Sequence, residues 1–281
     1  MEISRRRLLK TGGTLALGAG LAGLGGSIYG TRIETRMLDI ESVRIPLDGL
    51  PPGLEGFRIV LLSDFHISEH TPLEFIEEVV SVASSFKADL VVLLGDFVLR
   101  EVEAVFDLAP ALAKINAKHG IFSILGNHDI WQGAATVVEA FEQSGLKVLV
   151  NEGLTLSHQS ERFFLAGVDD GWAGHPDLDA ALASRPSDVP VFLLAHEPDL
   201  ADGFAADGRV ALQLSGHSHG GQVRFPGFGS PFCPPLGRKY DLGLYRVKNT
   251  WLYTNRGIGV TVPIRLNCPP EITEVTLVSG N

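Results

Sequence analysis

Apolar positions between Phe57 and Leu125 follow two alternating rhythms. Short, nearly continuous runs, FRIVLL at 57–62, DLVVLL at 89–94 and GIFSIL at 120–125, have the length and composition of strands buried on both faces. Between them, PLEFIEEVVSVASSF at 72–86 and VEAVFDLAPALAKIN at 102–116 repeat apolar residues at helical spacing, the first behind a Thr-Pro start and the second despite Pro110. That order predicts a βαβαβ unit with parallel strands. A further helix over about 134–143 leads to short strands at 146–150, 154–157 and 163–168. The second half is richer in strands, at 189–195, 209–215, 222–225, 243–247, 251–254 and 271–278. The pattern predicts two packed sheets with helices outside, and no linker, repeat or low-complexity tract divides the chain from Met37 onward. One domain over 37–281 is therefore expected.

Composition narrows the classes. The chain has 281 residues, 45% hydrophobic and 20% charged, which excludes disorder and coiled coil. Its net charge is −10; without residues 1–30, which hold four Lys or Arg and one Glu, 19 basic residues face 32 acidic ones, a net −13. Such a body lacks the basic footprint of a nucleic-acid binder. Two cysteines, Cys233 and Cys268, cannot make a zinc-thiolate site or a disulfide framework, although one pairing or two separate thiols are both open.

Residues 1–36 differ from the rest. The basic SRRRLLK at 4–10 precedes an uncharged stretch of 20 residues, TGGTLALGAGLAGLGGSIYG. It resembles a twin-arginine export signal, with Leu8 where Phe is usual. The length also suffices for a bilayer-spanning anchor, and no Ala-x-Ala cleavage site follows, so signal and N-terminal anchor stay open. Either way, the resemblance implies the twin-arginine machinery as a partner, a folded body outside the cytoplasmic membrane, and membrane anchoring if the segment is retained.

The chemistry lies just after the strands. SDFH follows 57–62, GD follows 89–94, GNHD follows 120–125, HEP follows 189–195 and SGHSH follows 209–214. The carboxyl ends of strands in open α/β sheets share one rim, so Asp64, His66, Asp96, Asn127, His128, His196, His217 and His219 should converge. Carboxylate oxygen and imidazole nitrogen without thiolate suit Mn, Fe or Zn. About seven ligands exceed the need of one tetrahedral ion and fit two divalent ions sharing a carboxylate, an arrangement that clamps an in-line displacement and supplies hydroxide near neutral pH. Taken singly each motif is a common turn or cap; their order carries the weight. His70, His119, His158 and His175 stand outside any motif and read as surface or packing residues.

The ordered set DxH, GD, GNHD, a lone His and GHxH resembles the calcineurin-like metallophosphoesterases, from about residue 57 to the C-terminus. GHSHGGQVRFPGFG and NRGIGVTVPIRLNCPPEIT resemble its exported branch, which includes phosphodiesterases and UDP-2,3-diacylglucosamine pyrophosphatases. The resemblance implies a four-layer α/β sandwich of two mixed sheets flanked by helices, the metallo-dependent phosphatase-like fold. It implies one metal held by Asp64, His66 and His219, another by Asn127, His196 and His217, Asp96 bridging, and His128 as the acid that is not a ligand. His217 and His219 would face different metals, and an extended segment would point both rings the same way.

One departure matters. Relatives that dephosphorylate proteins carry an Asp three residues after the GD aspartate, where this chain has Leu99 in GDFVLRE, which argues against a protein phosphatase and leaves the group orienting His128 open, with Asp129 the adjacent candidate. Arg256, in TNRGIG, is the best guess among the arginines for a phosphate fork. FPGFGSPFCPPLG at 225–237 is either a loop packed on the sheet edge or an apolar lip for a lipid-linked substrate. The expected activity is hydrolysis of a phosphodiester or pyrophosphate, nucleotide or lipid-linked, by metal-bound hydroxide. A phosphomonoesterase is the alternative, followed by a binding module on the same fold; a redox role has no cysteine cluster or dinucleotide loop to support it.

Overall fold

A computed structural model of the chain describes residues 25–280; the SRRRLLK motif lies outside them. Strands β2 (Arg58–Leu62), β3 (Leu90–Leu93), β8 (Val191–Leu194) and β9 (Leu212–Ser215) bury nearly every side chain on both faces, which is why they read as unbroken apolar runs. The first sheet has the order β1-β12-β2-β3-β4-β5, with β1 (Asp39–Leu47), β4 (Ile121–Ser123), β5 (Lys147–Val148) and β12 (Glu271–Ser279). The second has the order β10-β11-β9-β8-β7-β6, with β6 (Glu152–His158), β7 (Glu161–Gly167), β10 (Gly243–Val247) and β11 (Thr250–Thr254). Both are mixed: β2 to β5 run parallel and β12 antiparallel to β2, while β7, β8, β9 and β11 run parallel and the outer β6 and β10 antiparallel.

Period-2 alternation divides the core. Ile59, Leu61, Leu90 and Val92 of one sheet meet Phe163, Leu165, Phe192 and Leu214 of the other between the layers. Val60, Leu62, Val91 and Leu93 point outward under the helices α1 (Leu73–Ser85), α2 (Val105–Leu112) and α3 (Asn127–Gln143). On the far side, α4 (Leu178–Ala181) lies over the second sheet with Phe164 and Leu193, and α5 (Ala201–Asp207) over β10 and β11. The result is the four-layer sandwich.

Several boundaries depart from the sequence pattern. The segment 222–225 is not a strand: Gln222 has φ 57° and only isolated bridges, Val223 to Leu266 and Phe225 to Gly229, form there. Helix α2 stops at Leu112, followed by turns with i to i+3 bonds at Lys114 and Ile115. Helix α3 is broken at Gly133 (φ 145°, ψ 79°): the expected helix over 134–143 follows the break, and a short helical piece from Asn127 precedes it, so GNHD opens a helix instead of forming a turn. Strand β1 escaped the pattern because it is an edge strand, with Pro46 and one half-solvated face. Residues just before it belong to the body, since Glu34 is buried and its carboxylate accepts the Cys268 N–H at 2.6 Å. Cys233 and Cys268 are both free thiols.

Phe163 is fully buried between the sheets, with ring centroids 5.1 Å from both Phe57 and Phe192. Phe163→Ala is expected to cost about 3–5 kcal/mol in urea unfolding, with an unchanged m-value.

Candidate metal centre

The two sheets bring their strand ends to a common rim, and the backbone there is unusual. Asp64 (φ 51°), His66 (φ 44°), Asp96 (φ 54°), His217 (φ 67°) and His219 (φ 52°) all adopt left-handed conformations. Such residues are held against a cost of roughly 1–3 kcal/mol each by surrounding structure. Here the loops hold one another: Asp64 N–H donates to Gly95 O at 2.9 Å, His66 N–H to Asp96 O at 3.0 Å and Gly216 N–H to His196 O at 3.0 Å. Two glycines make the approach possible, because a methyl at Gly126 would collide with the Asp96 carboxylate and one at Gly216 with Ser63 and Asp64.

Two clusters are linked by a third. Asp64, His66 and His219 form one, Asp96, His196 and His217 another, and His66, Asp96 and His128 lie between them. The Asp96 Oδ2 lies 3.4 Å from His66 Nε2 and 3.3 Å from His196 Nε2, between the two. Asn127 is buried with no hydrogen-bond partner for its Oδ1, and His196 Nε2 likewise lacks one. The GHSH stretch is not extended: His217 and His219 are left-handed around a right-handed Ser218, and this turn sends the two rings to different clusters.

Ring tautomers are fixed from behind. His196 Nδ1–H donates to Leu94 O at 2.6 Å, which turns Nε2 toward Asp96, and His217 Nε2–H donates to Pro235 O at 2.8 Å, leaving Nδ1. Burial pushes His66 down to about 3 against the pull of Asp96, and burial with neighbouring His196 pushes His217 down to about 4. Both rings are therefore neutral, as ligands must be. Burial works against ionisation of Asp96, but His196, itself held well above its ordinary range by this carboxylate, outweighs it and keeps the carboxyl well below its usual range. Adjacent nitrogen and oxygen ligands of one tetrahedral ion lie about 3.4 Å apart, from bond lengths near 2.1 Å. The separations here match that spacing, and the orphaned Asn127 and His196 atoms match the chemistry of a divalent cation.

His128 is half-buried beside His66, ring centroids 4.7 Å apart. Its N–H donates to Asp96 Oδ1 at 2.8 Å, and its Nδ1 faces the carbonyl oxygen of Leu99 at 3.3 Å. The orienting group is thus a backbone carbonyl at the departed position. Asp129 points elsewhere, accepting the N–H groups of Phe97 at 2.8 Å and Gly126 at 3.0 Å and so stapling the GD loop to the start of α3. Arg256 corrects the sequence reading: its guanidinium is only 11% exposed and is engaged by Asp39, Glu41 and Glu271, so no fork is left for phosphate. His70 lines a separate apolar cavity, and His119 bonds to His158 at 2.9 Å on the Phe57 ring, away from the site.

Site elements the sequence reading missed are aromatic. Trp131 packs on His128 at 5.2 Å, Trp172 on Trp131 at 4.9 Å, and Trp172 on His217 at 5.8 Å, forming an arc at the mouth. The Trp172 loop is held by Glu197, which accepts Gly171 N–H at 2.8 Å and Trp172 N–H at 3.1 Å. Strand β7 ends at this same rim in GVDDGWAG, so the strand-end rule applied once more would have found it. The mouth opens into a cavity of ≈ 800 Å³ lined by Asp96, Asn127, His128, Trp172, Phe232 and Arg238 among others.

The profile of the calcineurin-like phosphoesterase family matches residues 57–221, more than half of the chain. The chain belongs to that family. This calcineurin-like phosphoesterase is 38% identical over 289 aligned positions to the uncharacterized metallophosphoesterase YkuE of Bacillus subtilis, covering 100% of this chain and 99% of that one. It is 32% identical to the phosphodiesterase YaeI of Escherichia coli, over 98% of this chain and 100% of that one. Its fold is similar to that of a Thermus thermophilus sulfate thiohydrolase, SoxB, with TM-score 0.51 and 14% identity over 75% of this chain and 53% of the other. The protein is a metal-dependent phosphoester hydrolase.

Gly126→Ala drives a methyl against the Asp96 carboxylate and its backbone nitrogen. It is expected to weaken divalent-metal binding by about 10–100-fold in titration calorimetry, with the circular dichroism spectrum unchanged.

Proposed function

We propose that the calcineurin-like phosphoesterase hydrolyses phosphodiesters or pyrophosphates at a centre of two divalent ions, Mn, Fe or Zn. Asp64, His66 and His219 would hold one ion, Asn127, His196 and His217 the other, with Asp96 shared. The observation that carries this reading is the placement of Asp96 Oδ2 within 3.4 Å of His66 Nε2 and 3.3 Å of His196 Nε2, which joins both clusters through one carboxylate. Bound ions polarise the phosphoryl oxygens and acidify water.

The chain's own residues supply the rest. Leu99 O engages His128 Nδ1, so Nε2 is the atom that carries the transferable proton toward the leaving oxygen. Trp172 and Phe232 give the cavity apolar walls, and Arg238 is the one Lys or Arg lining it among the described residues. A diester places a second substituent against such walls, whereas a dianionic monoester asks for more cations. The phosphodiesterase name of the Escherichia coli relative supports the same preference. Hydrolysis of bis(p-nitrophenyl) phosphate with added Mn²⁺ is expected to exceed that of p-nitrophenyl phosphate in kcat/KM; equal or exclusive activity on the monoester would overturn the preference for the monoesterase alternative. His128→Ala should lower kcat by about 10²–10⁴-fold while the bound metal, measured by elemental analysis, stays the same.

We also propose that residues 1–36 direct export of the body, 37–281, through the twin-arginine machinery, as SRRRLLK and the following uncharged stretch suggest. Among the described residues no helix is long and apolar enough to cross a membrane. Changing Arg5 and Arg6 to Lys is expected to retain the protein in the cytoplasm on cell fractionation, and normal export would reject the signal.

A further inference from the structure

Large apolar side chains are bare to solvent around the cavity mouth. Phe228 is 92% exposed, Phe232 69%, Val262 55%, Ile33 48% and Phe225 47%. They belong to three segments stitched into one surface. Gln222 Nε2 donates to Val262 O at 2.8 Å and to Ile264 O at 2.7 Å, and Arg224 N–H donates to Leu266 O at 2.9 Å. The same segment takes in the N-terminal turn, since Arg265 N–H donates to Gly30 O at 2.9 Å. Phe232 and Val262 also line the metal-site cavity, so its mouth opens on this face.

Scattered exposed apolar residues need no explanation, but three phenylalanines on one Gly/Pro loop, beside Val262 and Ile33 on segments bonded to its base, do. The loop Phe225–Pro231 turns through Gly227 (φ 80°) and Gly229 (φ 73°) and projects Phe228 outward instead of folding it onto the sheet. Where the chain joins this face is equally specific. The uncharged stretch Thr11–Gly30 ends at Gly30, on the bond to Arg265, and Arg32 and Arg36 follow. The geometry points to a lipid bilayer as the occupant: the face lies on the membrane surface, the Phe225–Phe232 loop enters the acyl boundary, and the cavity mouth is presented to the lipid. A protruding single ring suits penetration of a fluid interface better than a flat dimer contact, which needs about 800 Å² of complementary surface per partner. The net −13 of the chain without its first 30 residues makes the attachment apolar, not one of general attraction to anionic lipid.

The inference stands apart from the substrate reading and is tested without turnover. Phe228→Trp in the full chain is reconstituted into phosphatidylcholine vesicles with or without brominated acyl chains, which quench tryptophan only at acyl depth. Ser187→Trp, exposed just before β8 and thus at the opposite rim, is the control, and Trp131, Trp172 and Trp251 set the common baseline. The fluorescence added at 228 should be quenched at least about twofold more strongly than that added at 187. Equal quenching at the two positions overturns the proposal, and if Phe228→Asp then also dissolves a concentration-dependent dimer in detergent, the face belongs to a second copy.

Discussion

The site depends on mutual clamping of loops that no single loop could sustain. Five of its residues hold left-handed backbone, and each strained loop is fixed by a hydrogen bond to the next strand end, Asp64 to Gly95, His66 to Asp96, Gly216 to His196. Side chains complete the lattice, with His217 N–H on the Asp64 carboxylate and His128 N–H on Asp96. The acidic residues thus position neighbouring loops as well as offering oxygens to a cation. Arg265 extends the clamp: fully buried, it donates to the carbonyl oxygens of Arg256, Gly257, Gly259 and Cys268, and Gly259 N–H in turn donates to Asp64 O at 2.7 Å.

Burial decides the electrostatics. Asp64 and Asp96 are taken out of water and held ionised by the imidazoles around them, His219 first for Asp64 and His196 first for Asp96, against the desolvation that opposes both. His66 and His217 are held neutral by the same burial. His196 differs from them: although burial opposes its charge, Asp96 and Asp64 hold it well above its ordinary range, so without a metal it shares a proton with the carboxylates, and a divalent ion would take that proton's place.

Much of this was legible in the sequence because the interior strands are buried on both faces and so announce themselves as apolar runs, with the ligand-capable residue directly after each. The edge strand β1 was not, since half of its positions meet water, and neither was the helical start at Asn127, because GNHD contains no periodic apolar residue. Arg256 illustrates a different limit: a guanidinium's partner is set by what the fold brings beside it, here Asp39 and Glu41 from more than 200 positions away. The Leu99 carbonyl that faces His128 carries no side-chain signature at all, and Trp131 and Trp172 meet only through tertiary structure.

Strand β12 has a consequence for the order of events during synthesis. Among the described strands it comes latest in sequence order, yet it sits between β1 and β2, and β1 has no other neighbour in its sheet. Strand β1 therefore stays unpaired in its sheet until residues 271–279 are available, and Arg265 and the Gly257–Gly259 turn that brace Asp64 lie just before that strand in sequence. Closure of the first sheet and bracing of the site are thus one tertiary event, made by the same stretch, 257–279.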